Sequence, residues 1–537
     1  MVPNPQARAS ARRKRVALFL ATLLLATGLA SWWTHDAAEA DPAPDVMVGN
    51  GTLVGSAPGR VTVLATGPAC TVYLSTRQWS TDPRPFTLEV VNAGAAADVT
   101  GLADGEKVVR HGRDLSVDVD PGRGWPRVIS SSLHEPTAGG SWTFIAMGDP
   151  QGHDWNVDAA GELADAMGAM FILLLGDVTA SGEQAQYDSL SRAMGGANVP
   201  VFAVPGNHDV KNDGTAGFVR TFGRLEGRFE FGGALFVLLD ASSQTFGERD
   251  ASSLSGVGVH RRIDERLIVA THTSPLDPRP HATDPYLDTG GSSRLMSAVE
   301  AAGADLLLAG HVHMYCSTAT TGGVPLVMTG GGGGVLTGSE GPWGFHHLLR
   351  VDVSPSGLSW TPIRLSDRPP AGGASGPMVS VVGRHGTGLT LTMQALVAMA
   401  VVNGSWSYQD RLGNWEGGEA YVGVPVATLL DFVGGITAQD RLRVVARDGY
   451  AQEFSFANVH PDGEARAVQG DMVLAISRDG ATPPAWDDGP RLIFTPPDGR
   501  YGNADAGSTT VPSMRSDPFS AGARWVREVA SIEVLAG

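Results

Sequence analysis

The chain has 537 residues, enough for several domains each with its own core, and its 42% hydrophobic content is that of a soluble protein. Its formal charge of −17, with no dense Lys/Arg cluster beyond the N-terminus, argues against a nucleic-acid-binding surface, which needs a basic face for phosphates. The 70 glycines and 34 prolines predict many turns and little long helix.

The first element is a leader. Arg8, Arg12, Arg13, Lys14 and Arg15 precede the apolar run Val16–Trp33, and Ala38-Glu39-Ala40 follows. A basic start, an apolar middle and an A-x-A-like site predict a secretory signal peptide over residues 1–40, exported and cleaved before Asp41. The run is also long enough to stay as an uncleaved anchor, the one membrane contact expected. An exported chain whose only cysteines are Cys70 and Cys316 could hold one disulfide or two unpaired thiols.

Residues 44–135 alternate in short runs (Arg60–Ala65, Thr71–Ser75, Phe86–Val91), which predicts an antiparallel β-sandwich. Pro136–Gly140 reads as a linker into residues 141–365. There the apolar runs Trp142–Met147, Phe171–Leu175, Val199–Val204, Leu267–Ala270 and Asp305–Ala309 predict buried parallel strands. Asn156–Met170 and Ser292–Ala302 have helical spacing, and Phe229–Asp240 reads as strand, hairpin, strand. Val324–Thr329 predicts a strand before Gly330–Gly334, which lacks the spacing of a nucleotide-binding loop and reads as a flexible loop over the site. A second linker, Ser366–Gly376, leads to a β-rich tail, residues 377–537, with strand-like runs at Leu389–Met393, Leu442–Ala446, Arg491–Thr495 and Ile532–Leu535.

Each of the five central runs ends in a short polar motif. In order these are Gly148-Asp149-Pro150-Gln151, Gly176-Asp177, Gly206-Asn207-His208-Asp209, Thr271-His272-Thr273-Ser274-Pro275 and Gly310-His311-Val312-His313. Ligands gather outside the carboxyl ends of strands in α/β sheets, so these motifs would bring carboxylates, amides and imidazoles together, without a thiolate. Those donor types at strand ends describe a metal site. Two divalent cations about 4 Å apart need a shared carboxylate, and Asp177 on its glycine turn is well placed to bridge.

The order Asp…Gly-Asp…Gly-Asn-His-Asp…His…Gly-His-x-His resembles the calcineurin-like metallophosphoesterase family, over about 225 residues. The resemblance implies an α/β fold: a central metallophosphoesterase α/β sandwich, two sheets flanked by helices, with β-rich domains on either side. It implies two divalent metal ions (Fe, Mn or Zn) and hydrolysis of a phosphate ester by a metal-bridging hydroxide. The first metal would take Asp149, Gln151, Asp177 and His313. The second would take Asp177, Asn207, His272 and His311. His208 would act on the phosphate as the catalytic acid, assisted by Asn207, with Asp209 a candidate to orient it. Where the common first motif is Asp-x-His, this chain has Asp149-Pro150-Gln151, as in an Asp-Pro-Gln subgroup of the family. Gln151 can offer an amide oxygen; His153 reads as a solvated loop histidine, with ligation in place of Gln151 the alternative.

The tail resembles the molybdopterin-binding fold of sulfite-oxidase-like proteins through YVGVPVATLL, ARDGY and RWVREVASIEV. In that family's active enzymes a cysteine binds molybdenum, and this chain has none after Cys316. The resemblance therefore implies a degenerate, non-redox accessory domain. Three readings stay open: an exported phosphoesterase, an exported binding or scaffold protein with a weak site, and a molybdenum oxidoreductase.

Overall fold

The computed structural model describes residues 45–537 apart from 58, 76–84, 124–125, 138, 261, 263–264, 280–286, 288, 338–342, 367–377 and 516–518. The leader and most of the second linker lie outside these residues. The chain from Ala43 to Gly537 is one compact unit. No helix among the described residues is long and apolar enough to cross a membrane.

The centre is a mixed α/β sandwich built on two sheets. One has the strand order Val201–Val204, Ile172–Leu175, Trp142–Met147, His347–Ser354, Gly357–Arg364. The other runs Gly227–Phe231, Ala234–Leu238, Arg266–Thr271, Leu306–Ala309, Pro325–Thr329, Tyr315–Ala319. The inner strands pair in parallel, Ile145 with Ile172 and Leu174 with Ala203 in one sheet, Val269 with Leu307 in the other. The five motif-bearing strands are thus divided, three in the first sheet and two in the second.

Alternation of side chains across each strand builds the layers. Phe144, Ala146, Phe171, Leu173 and Leu175 face the other sheet and share a core with Phe229, Phe231, Phe236, Ile268 and Leu308. Aromatic rings dominate this seam: Trp142 meets Phe231 edge-on at 5.0 Å and Phe144 meets Phe236 at 5.3 Å. The intervening residues face outward. Ile145, Met147, Ile172 and Leu174 pack on Val157, Leu163 and Leu190 of the helices Asp154–Met167 and Gln184–Met194. Leu235, Val237, Leu267 and Val269 pack on Leu254, Leu295 and Val299 of Glu248–His260 and Thr289–Ala301. The helix expected over 156–170 stops early because Gly168 takes a left-handed φ of 63°, leaving Met170 beyond it.

β-rich regions flank this centre. The N-terminal region has a four-stranded and a five-stranded sheet, but it is not wholly antiparallel: Arg60–Ala65 pairs in parallel with Phe86–Val91. Its Asn92 side chain exchanges hydrogen bonds with the Val201 backbone, at 2.8 and 2.9 Å, tying it to the first central sheet. The C-terminal region has two five-stranded sheets and packs on the helix Asp154–Met167, where Thr392 donates to Glu162 at 3.1 Å. Cys70 is buried in the N-terminal core and Cys316 lies in the second central sheet; both are free thiols, and burial pushes the Cys70 thiol up to about 12.

Candidate metal centre

The carboxyl ends of the two sheets meet at one edge, and the chain turns there through unusual backbone. Asp149, Gln151, Asp177 and His311 all have positive φ, at 60°, 44°, 48° and 67°. Such conformations cost a non-glycine residue about 1–3 kcal/mol each and persist only where surrounding bonds fix them. Here Asp149 N–H donates to the Gly176 carbonyl and Gln151 N–H to the Asp177 carbonyl, both at 3.0 Å, while Gly310 N–H donates to His272 at 2.9 Å. Gly206 and Gly310 let the strands close up: a Cβ on Gly206 would strike the Asp177 backbone, and one on Gly310 would lie 2.6 Å from Asp149 Oδ2.

The side chains fall into two groups joined by Asp177. In the first, His313 Nε2 lies 3.3 Å from Asp149 Oδ1 and 3.2 Å from the Gln151 amide nitrogen, which is 3.1 Å from Asp177 Oδ2. In the second, His272 Nε2 lies 3.4 Å from Asp177 Oδ1, 3.2 Å from Asn207 Oδ1 and 3.2 Å from His311 Nδ1. Asp177 therefore presents one oxygen to each group. Both carboxylates are also gripped from the facing motif: His311 N–H donates to Asp149 Oδ2 and His208 N–H to Asp177 Oδ1, each at 2.7 Å.

Backbone carbonyls set the imidazole orientations. His272 Nδ1 donates to Leu175, His313 Nδ1 to Val335, both at 2.8 Å, and His208 Nδ1 to Ala180 at 2.6 Å. With the proton on Nδ1, Nε2 of His272 and of His313 turns inward, where a bound cation would take its lone pair as in metal-ligating histidines, while Nε2 of His208 faces the rim. His311 is reversed, with Nδ1 inward and Nε2 3.4 Å from the amide of Gln244.

Electrostatically the centre calls for a cation. Asp149 and Asp177 are almost wholly buried, and among the described residues only imidazoles pair with them. Burial pushes Asp149 up; Asp177, also buried, is held low by the His272 charge beside it. Burial opposes a charge on His272, but the two carboxylates overcome it and raise the ring to about 10, while burial and that neighbouring charge drive His311 down to about 3. Asp149 Oδ1 accepts no hydrogen bond although no water reaches it. An orphaned carboxylate oxygen and donor atoms 3.1–3.4 Å apart fit divalent cations, because bonds of about 2.1 Å at right angles space ligands by about 3 Å. Turning the Gln151 amide end for end brings its oxygen into the same place.

Several expectations need correction, and several contributors were missed. Gly330–Gly334 is not a loose overhang: all five are buried, Gly332 N–H donates to Gly148 at 2.8 Å and Gly334 N–H to Asp149 at 2.9 Å. A Cβ on Gly334 would lie 2.5 Å from His313 Cε1 and 2.9 Å from Gln151 Oε1, so only glycine fits so close to these two side chains. The signal for this was the run's position, directly after a strand that ends at the same edge. Asp209 does not orient His208. Its carboxylate accepts the N–H groups of Gly206, Val178 and Thr179, at 2.8, 3.2 and 2.9 Å, and clamps two motif loops together. His153 stays outside the cluster, its Nδ1 3.1 Å from the Pro150 carbonyl and its ring against Trp155. The clamp yields a prediction. Asp209→Ala strands three buried N–H groups and should cost about 3 kcal/mol or more of stability, read as a fall in Tm; an unchanged Tm with only turnover affected would restore Asp209 to a role beside His208.

The calcineurin-like phosphoesterase family matches residues 143–315. No curated protein matches the chain. Among solved structures, purple acid phosphatase PPD1 from yellow lupin (Lupinus luteus) seeds is 13% identical, covering 64% of this chain and 74% of its own, with a TM-score of 0.39. GAP50, the anchor in the inner membrane complex of Plasmodium, is 14% identical over 42% of this chain and 84% of its own, with a TM-score of 0.35. A dimetal phosphatase from Danio rerio is 14% identical over 41% and 98%, with a TM-score of 0.31. The centre of this chain, residues 143–315, is a calcineurin-like metallophosphoesterase domain.

Proposed function

We infer that the protein is an exported, metal-dependent phosphoesterase. The observation that carries the hydrolytic reading is Asp177 standing between two ligand groups, one carboxylate oxygen toward each. Asp149, Gln151, Asp177 and His313 would hold one divalent cation; Asp177, Asn207, His272 and His311 the other. The pair would supply Lewis acidity, lowering the pKa of an attacking water and neutralising the phosphate oxygens. Export rests on the basic, apolar and A-x-A-like pattern of residues 1–40.

The protein's own groups do the rest. His208 sits at the rim, its side chain 30% exposed and its Nε2 3.9 Å from Asp177 Oδ2, where an incoming phosphate can reach it. With Nδ1–H fixed on Ala180, a protonated Nε2 donates to a phosphate oxygen and then to the leaving oxygen as the P–O bond breaks. Asn207 turns Oδ1 toward His272, which leaves its amide N–H groups for another phosphate oxygen. Water supplies the new phosphate oxygen, so no side-chain nucleophile is required. The tail supports a non-redox accessory role, since it contains no cysteine.

Two experiments test these roles. Asp177→Ala removes the shared anion and should release or loosen both metals, whereas His208→Ala should keep two metals and lower turnover about 10²–10⁴-fold. Metal analysis beside kinetics reads both; His208→Ala losing metal while Asp177→Ala retains two would reverse the assignments. Gly334→Ala should crowd His313 and Gln151 and weaken one cation by tenfold or more in a metal titration. Two cations bound as in the unaltered protein would show that the glycine run does not shape the ligand set.

A further inference from the structure

A cavity of about 500 Å³ lies between the central and C-terminal regions. The central side contributes Phe345, Arg364 and Leu336; the C-terminal side contributes Val422, Ile476 and Asn403. It belongs to the same edge as the metal centre. Gly332 N–H donates to the Gly148 carbonyl beside Asp149, and the Gly331 carbonyl accepts from His347 N–H at 2.9 Å. His347 in turn pairs with Arg364 across the next strand. Strands lie about 4.8 Å apart, so Arg364 is about 10–15 Å from the motif that carries Asp149. A substrate with its phosphate at the metal centre and an extended organic group can span that distance.

The wall chemistry narrows what would fit. The Arg364 guanidinium lies 4.1 Å over the Phe345 ring, and no carboxylate among the described residues pairs with it. Stacking fixes the plane of the guanidinium and leaves its N–H fork free for a planar anion. Phe345, Val401 and Val422 offer apolar surface to a ring. Resting on the phosphoesterase reading, we propose that this cavity is the leaving-group pocket. It takes a phosphate ester whose alcohol part carries a flat apolar ring and a second anionic group, with Arg364 selecting the anion. The C-terminal region is then part of the substrate site and supplies half its wall.

The test uses the full chain and two esters: glycerol phosphate, and a naphthyl phosphate bearing a carboxylate on its far ring. The corresponding hydroxynaphthoate, titrated by its fluorescence, measures binding without turnover. The naphthyl ester should have the higher kcat/KM. Arg364→Ala should lower its kcat/KM relative to glycerol phosphate by about tenfold or more, the loss of one charge-assisted contact, and weaken hydroxynaphthoate binding to match. Asn403→Trp, on an exposed position of the C-terminal wall, should do the same by filling the cavity. An unchanged ester ratio and unchanged binding in both folded variants would overturn the pocket assignment while leaving the hydrolase intact. Arg364-dependent binding with no turnover of either ester would overturn the phosphoesterase reading, and the leaving-group role with it.

Discussion

Two carboxylates buried within one edge of the sandwich, Asp149 and Asp177, set the terms for everything around them. An ionised carboxylate out of reach of water is costly unless a positive charge or a full set of donors meets it. Backbone N–H groups of His311 and His208 meet one oxygen of each, and imidazoles crowd the remainder. That leaves Asp149 Oδ1 without a donor and drives His272 toward a cation deep in the protein. Divalent cations resolve both features at once. Held between the donor atoms, they would satisfy the orphan oxygen and let His272 present a neutral nitrogen.

The rest of the architecture makes this burial possible. An aromatic seam between the sheets brings two sets of strand ends into register, so that candidate ligands from three strands of one sheet and two of the other share one volume. The glycine strap then closes over them and hydrogen-bonds to the first motif, while Asp209 locks the second and third motifs together. Four ligating candidates held at positive φ are the strain that this bracing sustains. The strap also continues to His347 and Arg364, which makes the metal centre and the neighbouring cavity two parts of one edge.

The motif strands could be read from the sequence because apolar runs followed by Gly-Asp, Gly-Asn-His or Gly-His carry both a period and a turn. The layered centre followed from the family resemblance, and the division of the five strands between two sheets did not show in the runs themselves, since buried parallel strands look alike in either sheet. Adjacency misled at Asp209: it follows His208 in the chain, but the turn sends its carboxylate back to the backbone of Gly206 and Thr179. The strap was misread because glycines advertise freedom, whereas here their missing side chains are what close packing against His313 requires. His311 presenting Nδ1, and Gln244 behind it, left no trace at the level of spacing. The Arg364 cavity was also hidden, since its walls come together from separate stretches of the chain only after folding.

Anomalous diffraction from crystals of the manganese-loaded protein tests the account at its centre. Two peaks should flank the Asp177 carboxylate, about 3.5–4 Å apart, one beside Asp149, Gln151 and His313 and the other beside Asn207, His272 and His311. A single peak, or two peaks with Asp177 touching neither or only one, would contradict it.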